Sequence, residues 1–80
     1  MKVIVTGGAG FIGSALIRHI IRELKYEVLC LDKLSYASNL KSLEEVKTSP
    51  LFAFVEEDIC NEDSILKTLK EFKPNIVINL

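Results

Sequence analysis

The chain has 80 residues, of which 49% are apolar and 26% are charged, and its formal net charge is −1. This composition is typical of one small globular domain and provides no basic surface of the kind that attracts nucleic acid. No apolar run is long enough for a membrane span or an export signal. From the charge and from the lengths of the apolar runs, we expect neither nucleic acid nor a membrane as a partner.

The first two strands and the helix between them are indicated by apolar patterning. Lys2–Thr6 reads as a strand, residues 11 to about 25 as a helix, and residues 27–31 as a second buried strand that ends at Asp32. The helix positions that recur at intervals of four, and so predict its buried face, are Ile12, Leu16, Ile20 and Leu24.

The second half of the chain repeats this alternation. After a polar loop, Asn39 could cap a short helix over residues 40 to about 46, and Pro50 marks the turn into a third strand, Phe52–Glu56. Asn61 is then expected to cap a helix over Glu62–Phe72. Pro74 ends that helix, and residues 75–80 begin a fourth strand.

The predicted order of elements is β-α-β-α-β-α-β, which indicates an α/β fold. Apolar strands separated by helices predict a parallel sheet covered on both faces, the N-terminal half of a doubly wound (Rossmann) dinucleotide-binding domain. In the expected strand order 3-2-1-4, the apolar fourth strand would be an open edge. We therefore expect residues 1–80 to be the N-terminal part of a longer protein.

A glycine motif lies where the first strand passes into the first helix. Gly7, Gly10 and Gly13 form the pattern G-x-x-G-x-x-G. The first glycine would permit a sharp turn, the second a close approach of a pyrophosphate, and the third tight packing of the helix. The backbone N–H groups of Phe11 and Ile12 would then face the phosphates. The alternative is a tight strand–helix turn without a ligand, whereas a Walker-type loop is excluded because no Lys-Ser or Lys-Thr pair follows.

Two acidic residues end strands that follow the motif. Asp32, 19 residues after Gly13, could accept hydrogen bonds from both adenosine ribose hydroxyls and repel a 2′-phosphate, which favours NAD over NADP. Lys33 points towards NADP, since a cation could tolerate that phosphate, but a solvated loop lysine is the better explanation of this residue. Asp58 could accept a hydrogen bond from the adenine amino group, or it could be only a polar end to the third strand.

The two cysteines, Cys30 and Cys60, stand thirty positions apart. This spacing suits neither a zinc site nor a secreted disulfide framework. We expect free thiols, buried or half-buried, in a reducing cytoplasm, and no metal site.

Several stretches carry a family resemblance. The segment "VTGGAGFIGS" resembles the extended short-chain dehydrogenase/reductase family, whose fingerprint is T-G-x-x-G-x-x-G. The segments "RHII", "DKLSYASNLKSL" and "DIC" are similar to the members of that family that dehydrate sugar nucleotides. The departures are Ser35, where threonine is usual, and Ser38, where glycine is usual.

The resemblance implies a bound NAD that is reduced and reoxidised within one turnover. Hydride would leave C4 of a glucose ring, water would be lost across C5 and C6, and hydride would return at C6, so the complete enzyme would be a lyase. The cofactor-binding residues implied by the motif and by the resemblance are Gly7, Gly10, Phe11, Ile12, Gly13, Asp32, Lys33, Leu34, Ser35, Asp58, Ile59 and Leu80. A homodimer and a sugar-nucleotide substrate bound by later regions are also implied.

No catalytic residue is expected within the 80 residues. The catalytic Tyr-x-x-x-Lys of the family is absent, because Tyr26 is followed four residues later by Cys30 and Tyr36 by Leu40. A related NAD-dependent sugar-nucleotide epimerase or decarboxylase remains an alternative, as does a dinucleotide-binding fragment without activity.

Overall fold

Four parallel strands form one sheet in the computed structural model, which describes residues 1–8, 10–33 and 43–80. They are β1 (Lys2–Thr6), β2 (Glu27–Asp32), β3 (Phe52–Glu56) and β4 (Ile76–Asn79). The spatial order is β3-β2-β1-β4 and every pair is parallel, which confirms the predicted order 3-2-1-4.

The first crossover begins as α-helix α1 (Phe11–His19) and continues as a π-helical turn over Ile20–Leu24. The predicted extent is correct, but the last turn is wider than an α-helix, since Lys25 N–H donates to the carbonyl of Ile20, five residues back. Lys25 then leaves the helix in the left-handed conformation, with φ of 60°.

The predicted buried face of α1 is partly wrong. Ile12 is 72% exposed and Leu24 is 45% exposed. Ile20 is buried and Leu16 packs against the core as predicted, and the buried residues within Phe11–His19 are Gly13, Ser14 and Ile17. Small residues at two of these positions let the helix backbone approach the strand–helix turn closely.

Helix α2 (Glu62–Phe72) begins and ends where the sequence predicts. The side-chain oxygen of Asn61 accepts a hydrogen bond from Ser64 N–H at 3.3 Å, which confirms the predicted N-cap. The helix stops at Lys73, which adopts the left-handed conformation common at helix C-termini and donates its N–H to the carbonyl of Leu69. Pro74 prevents the helix from continuing.

The apolar core lies on both faces of the sheet, as expected for a doubly wound fold. On one face α1 covers a cluster that contains Val3, Val5, Val28 and Cys30. On the other face α2 covers a cluster formed by Ile4, Leu29 and Leu31. Alternate residues of β1 therefore pack on opposite faces of the sheet, Val3 and Val5 against α1 and Ile4 against α2.

The first three positions of the predicted short helix over residues 40 to about 46 lie outside the described residues, as does its expected cap Asn39. Its described end is a turn, in which the N–H groups of Val46 and Lys47 both donate to the carbonyl of Leu43 at 3.0 Å. Leu43 and Val46 are buried in the α1-side core.

Candidate functional site

A cleft of about 230 Å³ opens at the carboxyl ends of the strands. In open parallel α/β sheets, ligands bind at this edge, where the strand order reverses. The described residues that line the cleft are Thr6, Gly7, Leu31, Asp32, Lys33, Glu57, Asp58, Ile59, Cys60, Asn79 and Leu80.

Backbone hydrogen bonds extend the sheet pairing by one residue beyond the strand ends and fix the floor of the cleft. Gly7 N–H donates to the carbonyl of Leu31 at 2.9 Å, and Glu57 N–H donates to that of Asp32 at 3.1 Å. Leu80 N–H donates to the carbonyl of Thr6 at 3.2 Å. The segments that leave β1, β3 and β4 are therefore held in register where a ligand would sit.

Six residues predicted to bind a cofactor lie together in this lining: Gly7, Asp32, Lys33, Asp58, Ile59 and Leu80. Four others, Gly10, Phe11, Ile12 and Gly13, lie next to Gly7 at the start of α1. Leu34 and Ser35 lie outside the described residues.

The glycine motif has the local geometry predicted for its first and third members. Gly7 has φ of +72°, a conformation that L side chains rarely adopt, and it turns the chain off β1. A Cβ on Gly13 would stand 2.7 Å from both the carbonyl oxygen of Gly7 and the Cα of Gly8. Glycine is therefore required at position 13 so that α1 can pack against the turn.

The N-terminus of α1 has the features of an anion site. Gly10 occupies the N-cap position and supplies no side-chain hydrogen bond, and the first turn contains no acidic residue. The first N–H groups of a helix have no intrahelical partner, and the helix dipole makes this end positive. The exposed Phe11 and Ile12 occupy this first turn, so their N–H groups are suited to hold a phosphate.

Asp32 ends β2 at the bottom of the cleft and is only 4% exposed. Its charge acts on Cys30, two residues earlier. Burial raises the pKa of the Cys30 thiol to about 12, and the negative charge of Asp32 adds to that shift, while a hydrogen bond with the backbone of Gly8 acts the other way. Cys30 is therefore a protonated packing group and not a nucleophile.

Asp58 lies between β3 and α2 and has a structural role as well as a place in the cleft. Its Oδ1 accepts a hydrogen bond from Cys60 N–H at 2.8 Å. This bond lowers the pKa of the Asp58 carboxyl, and the charge of Lys33 lowers it further. One carboxylate oxygen thus holds the turn before α2, and the hydrogen bond to an adenine amino group stays a prediction.

The described lining also contains residues that sequence reasoning did not assign to a site: Thr6, Leu31, Glu57, Cys60 and Asn79. Thr6 Oγ1 donates to Asn79 Oδ1 at 2.6 Å, which joins the ends of β1 and β4. The predicted strand order already made β1 and β4 neighbours, so the sequence contained a signal that places Thr6 and Asn79 side by side at the strand ends.

The two thiols differ in exposure. Both cysteines are free, as predicted, but Cys30 is buried and Cys60 is exposed, so the expectation of burial holds for the first only. Within residues 1–8, 10–33 and 43–80, no cluster of His, Cys, Asp or Glu side chains could hold a metal ion. Over the same residues, no helix has both the length and the apolar character needed to cross a membrane.

Comparisons with known proteins agree with this geometry. A family model described as the NAD dependent epimerase/dehydratase family matches residues 3–80. A dTDP-glucose 4,6-dehydratase from Neisseria meningitidis serogroup B is 48% identical over 79 residues, which cover 99% of this chain and 22% of that protein.

Solved structures give the same result. The dTDP-glucose 4,6-dehydratase from Bacillus anthracis in complex with NAD superimposes with a TM-score of 0.94 at 31% identity, covering all of this chain and 26% of that one. A UDP-glucuronic acid 4-epimerase from Bacillus cereus, in complex with UDP-glucuronic acid and NAD, gives a TM-score of 0.83 at 31% identity, with the same coverage. The chain thus spans about a quarter of the length of these relatives, and the predicted resemblance is confirmed.

Proposed function

Because the chain belongs to the NAD dependent epimerase/dehydratase family, we propose that it is the dinucleotide-binding segment of a dTDP-glucose 4,6-dehydratase. The observation that carries the proposal is the meeting of Gly7, Asp32 and Asp58 in one cleft beside the uncapped N-terminus of α1. The identity with the Neisseria meningitidis dehydratase supports the choice of substrate.

Residues of the cleft and of the start of α1 would each bind a different part of an NAD molecule. The pyrophosphate would lie on Gly7, Gly10 and the N–H groups of Phe11 and Ile12, where Gly13 brings the helix close. Asp32 would accept hydrogen bonds from the adenosine ribose, with Lys33, Leu34 and Ser35 around it. Asp58 would accept a hydrogen bond from the adenine amino group, the half-exposed Ile59 would contact the adenine ring, and Leu80 would begin the segment that leads to the nicotinamide.

NAD, when bound, would supply a hydride acceptor that returns the hydride later in the same turnover. The proposed net reaction of the complete protein is the loss of water from dTDP-glucose to give the 4-keto-6-deoxy sugar nucleotide, which makes it a lyase. Residues 1–80 would contribute cofactor binding, and the catalytic residues and the sugar-nucleotide domain would lie beyond Leu80.

The complete protein is expected to be a cytoplasmic homodimer. Two free thiols, one of them exposed, are consistent with a reducing compartment. Sedimentation of the complete protein would test the oligomeric state, and a monomer would contradict this part of the proposal.

The first test is a binding measurement on the complete protein. Isothermal titration with NAD should show saturable binding that Gly10→Val abolishes. Gly10 has φ of −73° and ψ of 177°, which any residue can adopt, so circular dichroism of the variant should match that of the wild type. Equal affinity in wild type and variant would contradict the phosphate role of the glycine motif.

The second test separates the dehydratase from its nearest alternative. Incubation of the complete protein with dTDP-glucose should give a product lighter by one water in mass spectrometry. The structural similarity to the Bacillus cereus enzyme makes a 4-epimerase the alternative, and an epimerised product would have the same mass as its substrate. Conversion of UDP-glucuronic acid without loss of mass would favour the epimerase, and NAD binding without turnover of either sugar would favour a non-catalytic protein.

A further inference from the structure

Gly8 lies inside the glycine motif, but the pattern G-x-x-G-x-x-G leaves it without a role. It is buried, and a Cβ at this position would stand 2.6 Å from Ile17 Cδ1 and 2.7 Å from Cys30 Sγ. Both distances are shorter than real Cβ contacts, so no side chain fits unless one of these neighbours moves.

The need for glycine at this position is steric and not conformational. Gly7 carries a positive φ, whereas the φ of Gly8 lies outside the left-handed region. An alanine could therefore adopt the Gly8 backbone without strain. Only the contacts with Ile17 and Cys30 oppose it.

The neighbours of Gly8 cannot easily yield. Ile17 and Cys30 both have 0% exposure, and both belong to the close-packed core between α1 and the sheet. The backbone of α1 also lies close, since a Cβ on Gly13 would stand 2.7 Å from the Cα of Gly8. Gly8 is therefore held between the backbone of α1 and two side chains of the core, one from α1 and one from β2.

We propose that Ile17 and Cys30 form a seat beneath Gly8 that sets the position of the phosphate-binding turn relative to the N-terminus of α1, and so sets the affinity for the pyrophosphate of a dinucleotide. The inference rests on the proposed function, because it assumes that the turn holds a pyrophosphate. Gly8, Ile17 and Cys30 are positioning residues in this account, since the ligand would contact only the turn above them.

The test uses the complete protein and NAD as the probe. Gly8→Ala should weaken NAD binding by between about tenfold and about a hundredfold, because the added methyl group displaces the turn or α1. The triple variant Gly8→Ala/Ile17→Val/Cys30→Ala removes the two atoms that the methyl group would meet, and it should bind NAD within about threefold of wild type. The matched control, Ile17→Val/Cys30→Ala, leaves the space beneath Gly8 unfilled, so it should melt at a lower temperature and bind NAD more weakly than the triple variant.

The readout is the dissociation constant for NAD, measured well below each melting temperature so that loss of folded protein does not contribute. Wild-type affinity in Gly8→Ala would overturn the proposal. So would a triple variant as weak as Gly8→Ala, since glycine would then be needed for direct contact with the ligand. If the wild-type protein itself fails to bind NAD, the proposed function is wrong, and the proposal about the seat beneath Gly8 is overturned together with it.

Discussion

A single carboxylate, that of Asp32, carries the predicted preference between the two nicotinamide dinucleotides. It is almost fully buried at the end of β2, at the bottom of the cleft, where a ribose 2′-hydroxyl would be bound and a 2′-phosphate repelled. Lys33 lines the same cleft, but its side chain is exposed, whereas that of Asp32 is buried. The choice of cofactor should therefore follow position 32.

Replacement of Asp32 by alanine should reduce the preference of the complete protein for NAD over NADP by about tenfold or more, equivalent to about 1.4 kcal/mol. The change removes both the hydrogen-bond acceptor for the ribose and the repulsion of a phosphate. Dissociation constants for the two dinucleotides would measure it. Glu71→Ala, which removes an exposed carboxylate from α2, should leave the preference unchanged. An undiminished preference in Asp32→Ala would assign the discrimination to another residue.

The two cysteines should differ strongly in reactivity, because the thiolate is the reactive form. With a pKa of about 12, Cys30 is ionised to about one part in ten thousand at pH 8, and it is also buried. Cys60 is exposed at the rim of the cleft. Treatment with iodoacetamide, followed by peptide mapping, should find label on Cys60 in the folded protein and on both residues after unfolding. Rapid labelling of Cys30 in the folded protein would contradict its burial.

At the scale of elements, helix α1 is defined by its contact with the strand–helix turn. Replacement of Gly13 by alanine should lower the free energy of unfolding by about 1–3 kcal/mol, because the new methyl group would meet backbone atoms that cannot rotate away. Helix propensity alone predicts the opposite sign, a gain of up to about 1 kcal/mol. Urea unfolding of the complete protein would measure the change.

A matched variant separates propensity from packing in this helix. Ala15→Gly, at an exposed position of α1, should cost about 1 kcal/mol through propensity alone. If Gly13→Ala instead stabilises the protein, this result would contradict the close contact between α1 and the strand–helix turn.

The elements that could be predicted from the sequence are those set by local rules. The β3 strand and α2 were predicted at their observed bounds because Pro50, Asn61 and Pro74 mark their ends. The buried face of α1 could not be predicted, since periodicity counts large apolar residues and this face is built on Gly13 and Ser14. The π-helical turn over Ile20–Leu24 has no comparable local signal.

The residues of the candidate site also divide into those that local sequence predicts and those that depend on the folded structure. Gly7 and Asp32 were predicted because a strand end, a glycine pattern and an acidic residue can be identified from the sequence alone. Thr6 and Asn79 were not assigned, although the predicted strand order made β1 and β4 neighbours, because a hydrogen bond between side chains 73 positions apart has no local signal in the sequence. The seat beneath Gly8 likewise requires side chains from two elements.

At the scale of the whole molecule, the sheet ends on one side in an apolar edge strand. Within the described residues, β4 pairs only with β1, and Ile76, Val77 and Leu80 are 42%, 54% and 55% exposed. Unpaired N–H and C=O groups on an apolar edge are a template for pairing with another chain. At the opposite edge, β3 carries Glu56, which makes that edge less suited to association.

The 80-residue chain, prepared by itself, should therefore self-associate through β4. Sedimentation velocity over a range of concentrations should show species larger than 9.0 kDa whose fraction falls with dilution. Val77→Lys, which places a charge on the edge strand, should shift the distribution towards monomer, because a lysine on an edge strand opposes its pairing with another chain. Ala53→Lys, at an exposed position of the opposite edge strand, should leave it unchanged. Equal effects of the two substitutions would mean that net charge governs the association. A monomer of the unsubstituted chain at all concentrations would mean that β4 does not pair with a second chain.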